Sequence, residues 1–339
     1  MILLRKLLFP FAILYGFITS LRNYLYDKGI FKSYSFDIPV IAVGNLNVGG
    51  TGKTPQIEYL IRLLSPKYKV ATLSRGYKRK SEGFILANDN ETAETIGDEP
   101  FQYYKKFPKI QVAVDNDRKN GIEKLLSQSS KPEIILLDDA FQHRKVKAGF
   151  YILLTAYGDL YCDDFTLPTG NLREGRSGDK RANLIIVTKC PTNLSKQQQE
   201  SIKKKIGSDL PIFFSCIDYE DKVYNDSESI TINEVKSRQI ILLAGIANPK
   251  PFFEFLHAEK NETMTFDDHH HFTESEINTI KERAKNKIII TTEKDFVRLE
   301  AELLKAQLYY LPIKSKLLVN QETFDQTILN YVGTSTRNC

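Results

Sequence analysis

The sequence has few cysteines and almost no excess of charge, and each shortage excludes a class of protein. Its four cysteines lie far apart with no C-x-x-C pair, so we predict neither a disulfide framework nor a cysteine metal site, and reduced thiols in a cytosolic setting fit better. The 47 basic residues nearly balance the 42 acidic ones. A net charge of +5 over 339 residues is too weak to indicate a nucleic-acid partner.

A long hydrophobic run is also absent, although the N-terminus comes closest. Residues 1–18 read MILLRKLLFPFAILYGFI, in which Arg5 and Lys6 are the only charged residues. A membrane-spanning helix needs about 20 apolar residues, and no small-residue cleavage site of a signal peptide follows. A helix buried in the fold stays possible. We favour a helix that lies in the membrane interface, with Arg5, Lys6, Arg22 and Lys28 near lipid phosphates.

Apolar strands alternate with helical patterns along the rest of the chain. The first series of strands is predicted at 38–43, 69–73, 110–114, 133–137, 151–155 and 184–188. Near-continuous apolar strands between helices are typical of a parallel sheet covered on both faces. After Cys216 the sequence becomes polar, and a second series of elements begins at 240 and continues to a last helix from Gln321.

We therefore predict an α/β protein with two domains, the first built on a parallel sheet covered on both faces. The length also favours two domains. The predicted divisions are an N-terminal helix at 1–33, a larger α/β domain at 34–217, a polar linker or β-ribbon at 218–238, and a smaller α/β domain at 239–339.

A glycine-rich stretch joins the first strand to a helix. A phosphate-binding P-loop needs glycines for close backbone approach, a lysine for the β- and γ-phosphates and a hydroxyl for Mg²⁺. Residues 47–54, NVGGTGKT, supply all of these except the first glycine, which is Asn47. Asparagine tolerates left-handed backbone angles better than most residues. We predict an ATP and Mg²⁺ site formed by Asn47, Val48, Gly49, Gly50, Thr51, Gly52, Lys53 and Thr54.

Two adjacent carboxylates end a buried strand further along the chain. Asp138 and Asp139 follow the apolar run at 134–137, where a P-loop site needs a carboxylate for its metal. Adjacent strand residues point to opposite faces. At most one of them is therefore expected to bind Mg²⁺, while the other meets the second face or a lysine.

The nucleotide and the general base have weaker signals. Thr188-Lys189-Cys190-Pro191 matches the first two positions of the guanine motif [NT]-K-x-D but lacks its aspartate, which favours ATP. A base for an acceptor hydroxyl could come from Asp98, in a predicted loop at 97–100, or from the histidine run at 269–271. The run also suggests metal, although three consecutive histidines on a strand cannot all face one ion.

The motifs together resemble those of the tetraacyldisaccharide 4′-kinases of lipid A biosynthesis. They cover nearly the whole chain, in order, as VGNLNVGGTGKTP (43–55), LSRGY (73–77), GDEP (97–100), DDAFQH (138–143), LRE (172–174), GIANP (245–249), FDDHH (266–270) and TTEKD (291–295). Two departures are Ala140, where a glycine is usual, and three histidines instead of two.

The resemblance implies an enzyme at the inner leaflet of a Gram-negative inner membrane. Such kinases use ATP and Mg²⁺ to phosphorylate the 4′-hydroxyl of an acylated glucosamine disaccharide 1-phosphate. It implies two α/β/α domains joined by a β-ribbon, the first with a P-loop NTPase-like parallel sheet. The active site would lie in a cleft between them, which the smaller domain closes. The partners implied are the lipid substrate and the membrane surface, with no nucleic acid and no evident protein partner.

Residue roles follow from the resemblance by position. Lys53 is implied to act on the phosphates and Thr54 to bind Mg²⁺, together with Asp138 or Asp139. The base is implied to be Asp98 working with His269, or with His270 after a one-residue shift. Substrate contacts are implied for Arg75, Arg173, Glu174 and Asp268.

Two other interpretations stay open. The chain could be a P-loop GTPase or metallochaperone with the histidine run as its metal site, or a catalytically silent ATP sensor on the membrane. We favour the kinase because a silent descendant would have no chemical reason to keep Asp98, Lys53 and Asp138 together.

Overall fold

A computed structural model of the chain describes residues 5–257, 261–268, 270–285, 287–305 and 307–337, excepting the side chains of 336 and 337. The strands are β1 (Val40–Asn45), β2 (Val70–Ser74), β3 (Ile85–Leu86), β4 (Gln111–Val114), β5 (Ile134–Asp138), β6 (Phe150–Ala156), β7 (Leu184–Thr188), β8 (Ile212–Tyr219), β9 (Lys222–Tyr224), β10 (Ser229–Thr231), β11 (Ile240–Ala244), β12 (Glu262–Thr265), β13 (Ile288–Thr292), β14 (Leu308–Leu311) and β15 (Ile313–Leu317). The α-helices are α1 (Phe9–Asp27), α2 (Lys53–Leu64), α3 (Ala93–Ile96), α4 (Asp98–Lys106), α5 (Arg118–Leu126), α6 (Lys196–Ile206), α7 (Ile232–Lys236), α8 (Lys250–Phe255), α9 (Glu274–Arg283), α10 (Glu293–Leu299) and α11 (Gln321–Arg337).

The larger sheet is mostly parallel and carries the P-loop at its centre. Its described strands lie in the order β15-β8-β7-β6-β1-β5-β2-β4-β3, and only the edge strands β3 and β15 run antiparallel to their neighbours. All six residues of β1 are buried, as expected for a strand covered on both faces. Val43 of β1 lies opposite Asp138 of β5. The end of β1 therefore brings the P-loop beside the predicted metal carboxylates.

The smaller sheet includes most of the segment predicted as a linker. Its described strands lie in the order β10-β9-β14-β13-β11-β12, with β11 to β14 parallel. The polar stretch 218–238 forms the antiparallel hairpin β9–β10 and helix α7. Its buried residues Val223, Ile230 and Val235 pack into the core of this sheet, which explains why a polar segment is ordered.

The predicted boundary of the second domain, 239–339, is wrong at its C-terminal end. Strand β15 returns to the larger sheet and pairs antiparallel with β8. Helix α11 then buries Phe324, Ile328 and Val332 in the same core as Ile57 of α2. Helical spacing revealed α11 but carries no information about which sheet its apolar face covers.

Helix α1 has one face on the larger domain and one face in solvent. Ala12 is buried, Thr166 Oγ1 donates to its carbonyl oxygen (2.9 Å), and Tyr15 donates to the carbonyl oxygen of Arg173 (2.8 Å). On the other face, Phe11 and Phe17 are 62% and 65% exposed, so the helix is not simply buried in the fold. Within the described residues, no helix is long and apolar enough to cross a bilayer.

Candidate active site

The P-loop follows β1 and ends at the first turn of α2. Gly49 and Gly52 have φ values of +114° and +83°, a region that residues with a Cβ rarely adopt. Lys53 is the first residue of α2, so the loop leads into a helix N-terminus, where free N–H groups and the helix dipole favour a phosphate. Asn47 does not need the left-handed angle that the sequence allowed for. It is fully buried and forms a β-bridge with Leu172.

Two segments hold the P-loop in place. On one side, Val48 N donates to Asn171 O (2.7 Å) and Arg173 N donates to Leu46 O (2.8 Å). On the other side, Thr188 Oγ1 donates to Thr51 O (2.7 Å) and Lys189 Nζ donates to Gly50 O (2.5 Å). Sequence reasoning treated Thr188 and Lys189 only as an incomplete guanine motif, but in the structure they clamp the P-loop backbone.

Asp138 is a buried carboxylate with an unused oxygen. Its Oδ2 accepts from Ser74 (3.3 Å) and Tyr103 (3.4 Å), whereas Oδ1 is buried without a hydrogen-bond partner among the described residues. Burial, and then the charges of Glu99 and Asp139, raise the pKa of Asp138 to about 7. An ionised carboxylate at this depth requires a cation.

Asp139 has cationic partners instead. It adopts a left-handed angle of +47° just after β5, and it lies 3.7 Å from Lys53 Nζ and 3.0 Å from Arg173 Nη1. Burial opposes its ionisation, but Lys53 and Arg173 outweigh that effect and lower the pKa of Asp139. Of the two surroundings expected for the second acid, the other face of the sheet or a lysine, Asp139 has the lysine.

Arg173 and Glu174 belong to a hydrogen-bond network that leads from the P-loop to helix α1. Arg173 Nη1 donates to Gln142 Oε1 (3.3 Å), and Gln142 Nε2 donates to Glu174 Oε1 (3.0 Å). Glu174, 3% exposed, also accepts from Arg181 (2.7 Å) and from Asn23 of α1 (2.5 Å). The amphipathic helix is therefore connected to Lys53 through a chain of polar side chains.

Asp98 lies at the start of helix α4 and not in the predicted loop. Acidic residues suit the first turn of a helix. Gly97 has a φ of +94° and packs closely against the loop that follows β2. A Cβ at this position would lie 3.2 Å from Gly76 Cα. The Asp98 carboxylate accepts from Nε (3.2 Å) and Nη2 of Arg298 in α10. Sequence reasoning missed Arg298, because the contact joins residues 200 positions apart.

The remaining residues that the sequence predicts for the site are Arg75, Asp268 and the histidines 269 and 270. Arg75 follows β2 and is exposed, and Asp268 accepts from Lys294 Nζ at 2.8 Å. His269 lies outside the described residues. His270 Nε2 lies 3.0 Å from Glu276, and its ring packs against Phe266 and Phe272.

Arg118 is a further buried cation that the sequence did not reveal. It is 2% exposed and donates to the carbonyl oxygens of Asp115 (2.7 Å) and Asp138 (3.1 Å). Burial lowers the pKa of its guanidinium to about 10, partly offset by Asp138 and Asp139. Its positive charge therefore stabilises the ionised forms of Asp138 and Asp139.

These features define a P-loop phosphotransferase: a phosphate-binding loop with its lysine, and an adjacent buried carboxylate suited to a cation. The comparisons agree. The family model of tetraacyldisaccharide-1-P 4′-kinase matches residues 4–333, and the chain belongs to this family. The motif-based resemblance and the kinase interpretation are therefore confirmed over the two alternatives, so the chain is a kinase that transfers phosphate to a hydroxyl.

Individual relatives match over almost their whole length. The chain is 66% identical to the tetraacyldisaccharide 4′-kinase of Flavobacterium psychrophilum, covering 99% of each chain. It is 44% identical to that of Bacteroides thetaiotaomicron, over 99% of this chain and 95% of the relative. Among solved structures it is similar to LpxK from Aquifex aeolicus, crystallised in complex with ATP, with a TM-score of 0.80 and 32% identity over 97% and 99% of the two chains.

Proposed function

We propose that this protein transfers the γ-phosphoryl group of ATP to the 4′-hydroxyl of an acylated glucosamine disaccharide 1-phosphate, a precursor of lipid A. The observation that carries the proposal is the P-loop lysine, Lys53, 3.7 Å from Asp139 and beside the buried carboxylate of Asp138. Family membership supports the acceptor, and the ATP complex of the Aquifex aeolicus protein supports the donor.

The residues present fit a Mg²⁺ ion. Oxygen ligands are what Mg²⁺ takes, usually from one or two carboxylates and the substrate phosphates. Asp138 offers a buried Oδ1 that no described residue satisfies, and Thr54 offers a hydroxyl in the first turn of α2. Asp139 is the weaker candidate because Lys53 and Arg173 already neutralise it. When bound, the ion would neutralise charge on the β- and γ-phosphates.

The chain's own groups have separate tasks in the transfer. Backbone N–H groups of the P-loop and Lys53 bind and orient the phosphates, where charge develops as the bond from Pγ to the β–γ bridging oxygen breaks and ADP leaves. The 4′-oxygen forms the new bond to Pγ and loses its proton. We assign Asp98 as the acceptor of that proton, with His269 as its partner, and Asp268 and Arg75 as substrate contacts.

The acceptor is expected to approach along helix α1. A cavity of about 340 Å³ opens between α1 and residues 175–181, and Asn23 and Arg181 line it. Both residues also bond to Glu174. A sugar headgroup in this cavity would therefore contact the network that reaches Arg173 and the P-loop.

The exposed face of α1 is proposed to lie in the cytoplasmic leaflet of the inner membrane. Each CH₂ of an acyl chain costs about 0.8 kcal/mol when exposed to water, so the enzyme must come to the bilayer. Phe11, Leu14 and Phe17 of α1, and Leu7 in the turn before it, are each more than half exposed, and their burial in lipid would offset the cost of docking.

The test is transfer of label from γ-labelled ATP to the acylated disaccharide 1-phosphate by the purified chain with Mg²⁺. A bisphosphorylated lipid is expected, with none in the presence of EDTA. The Lys53→Ala variant should lose transfer but keep most of the thermal stability of the wild type, because Arg173 still pairs with Asp139 when Lys53 is removed. Near-full activity of Lys53→Ala at saturating ATP would refute the P-loop assignment.

A further inference from the structure

The predicted base is held by a cation from the other sheet. Asp98 begins α4, which flanks the larger sheet, whereas Arg298 lies in α10, which follows β13 of the smaller sheet. Nε of Arg298 donates to Oδ1 of Asp98 (3.2 Å) and Nη2 donates to Oδ2. Such a two-point contact fixes the plane of a carboxylate as well as its position.

Arg298 also has an acidic neighbour in its own helix, Asp295. Its side chain is only 10% exposed, and Nη1 lies 3.7 Å from Oδ1 of Asp295. Asp295 is fully buried and accepts from Gly245 N (2.8 Å) and Thr292 Oγ1 (2.7 Å). A buried negative charge that is fixed by hydrogen bonds at the ends of β11 and β13 therefore lies close to the guanidinium. An exposed surface ion pair has no such support.

We propose that Arg298 is a positioning residue that holds the Asp98 carboxylate in the cleft between the two sheets. This inference rests on the proposed role of Asp98. Each carboxylate oxygen has two lone pairs. The guanidinium uses one on each oxygen, so this contact alone does not fill the acceptor capacity of the carboxylate. The geometry thus restricts rotation of Asp98 without blocking its action as a base.

The same pair of helices carries a contact that provides a matched control. Lys105 of α4 lies 3.9 Å from Glu300, next to the end of α10, and its side chain is half exposed. Lys105→Gln removes one ion pair between these elements without touching Asp98. If Arg298 only joins the two helices, its loss should resemble the loss of Lys105.

The experiment compares Arg298→Gln, Arg298→Lys, Lys105→Gln, Asp98→Asn and the double variant Asp98→Asn/Arg298→Gln in the phosphoryl-transfer assay. We expect Arg298→Gln to lower kcat about 10- to 100-fold, part of the ~10²–10⁴-fold range for a general base, with KM for ATP within twofold of wild type. Lysine can make only one of the two contacts, so Arg298→Lys should recover part of kcat. Lys105→Gln should remain within twofold of wild type in both constants.

The double variant separates positioning from an independent role. If Arg298 acts through Asp98, the double variant should be no slower than Asp98→Asn alone, because residues acting as a unit are not additive. Multiplicative losses, or an Arg298→Gln variant as active as Lys105→Gln, would overturn the inference. If Arg298→Gln does not fold, a folded Arg298→Lys variant with wild-type kcat would overturn it.

Failure of the inference can be told apart from failure of the proposed function. A wild-type chain that transfers no phosphate to the lipid overturns the function itself. A fully active Asp98→Asn variant in a competent wild-type background overturns the base assignment, and the role of Arg298 with it.

Discussion

Lys189 shows how one side chain can serve a P-loop from outside the motif. Its ammonium donates to Gly50 O, so it fixes the loop from the end of β7 while Lys53 occupies the helix end. The sequence contained both residues, but only the fold brings together positions 139 residues apart. Local motifs predict the chemistry of the loop. The residues that hold its shape contact it from distant positions in the chain, so only the structure identifies them.

The Lys189→Met variant tests this clamp. Methionine keeps much of the side-chain length and removes the ammonium, so we expect a weaker P-loop and a KM for ATP about 3- to 10-fold higher, with a smaller change in kcat because ground and transition states lose the same support. Steady-state kinetics at varied ATP measure this. Lys196→Met, in the first turn of α6, is the matched control, and equal KM values for the two variants would contradict the clamp.

His143 gives a pH-dependent prediction for stability. Burial, and then repulsion from Arg118, lower the pKa of His143 from 6.5 to about 4, and its Nε2 is buried without a partner among the described residues. The folded state therefore keeps the ring neutral while the unfolded state binds a proton below about pH 6.5. Its contribution to stability is complete above that pH and is lost as the pH falls toward 4.

Replacing His143 with Gln should flatten this part of the stability profile. Between pH 7 and 4 the wild type should lose about 1–2 kcal/mol more of its free energy of unfolding than His143→Gln, after allowance for partial exposure of the ring. Urea unfolding at several pH values measures the difference. Parallel profiles would show that His143 is not held neutral by the fold.

At the scale of elements, regular patterns identified most strands and helices but not their partners. Strand β7 has the predicted bounds of 184–188, and the last helix, α11, begins at Gln321 as predicted. Helix α10, which carries Arg298, has only seven residues and is not predicted from the sequence, because about two turns of helix give little periodicity. Asp98 was placed in a loop because Gly97 and Pro100 flank it, although both suit the start of a helix.

Helix α1 carries the prediction that belongs to this scale. Replacing Phe11, Leu14 and Phe17 with Ser removes apolar groups worth about 1.5–3 kcal/mol each when buried, yet leaves the packing face around Ala12 intact. We expect at least a tenfold loss of binding to vesicles that contain anionic lipid, with folding unchanged. Leu304→Ser, at an exposed leucine far along the chain, is the control.

The activity of the same triple variant should depend on the form of the substrate. Transfer to substrate in vesicles should fall with vesicle binding, while transfer to detergent-dispersed substrate should stay close to wild type. Equal losses in both formats would mean that the exposed face supports the fold or the active site instead of membrane access.

At the scale of the whole molecule, the chain crosses between its two sheets more than once. It leaves the larger sheet after β8, builds the smaller sheet, and returns through β15 and α11. The sequence predicted two α/β units but assigned the return segment to the second, since Ile328 and Val332 have the same spacing whichever sheet they cover. Between the two crossings, α10 of the smaller sheet packs against α4, the helix that begins with Asp98.

The proposed activity is transfer of phosphate to one hydroxyl, the 4′-hydroxyl of the acylated disaccharide 1-phosphate. The most direct measurement compares the acylated disaccharide 1-phosphate with its 4′-deoxy analogue as acceptors for γ-labelled ATP, with products identified by mass spectrometry. We expect one added phosphate on the natural acceptor and none on the analogue. Equal phosphorylation of the two acceptors would contradict it.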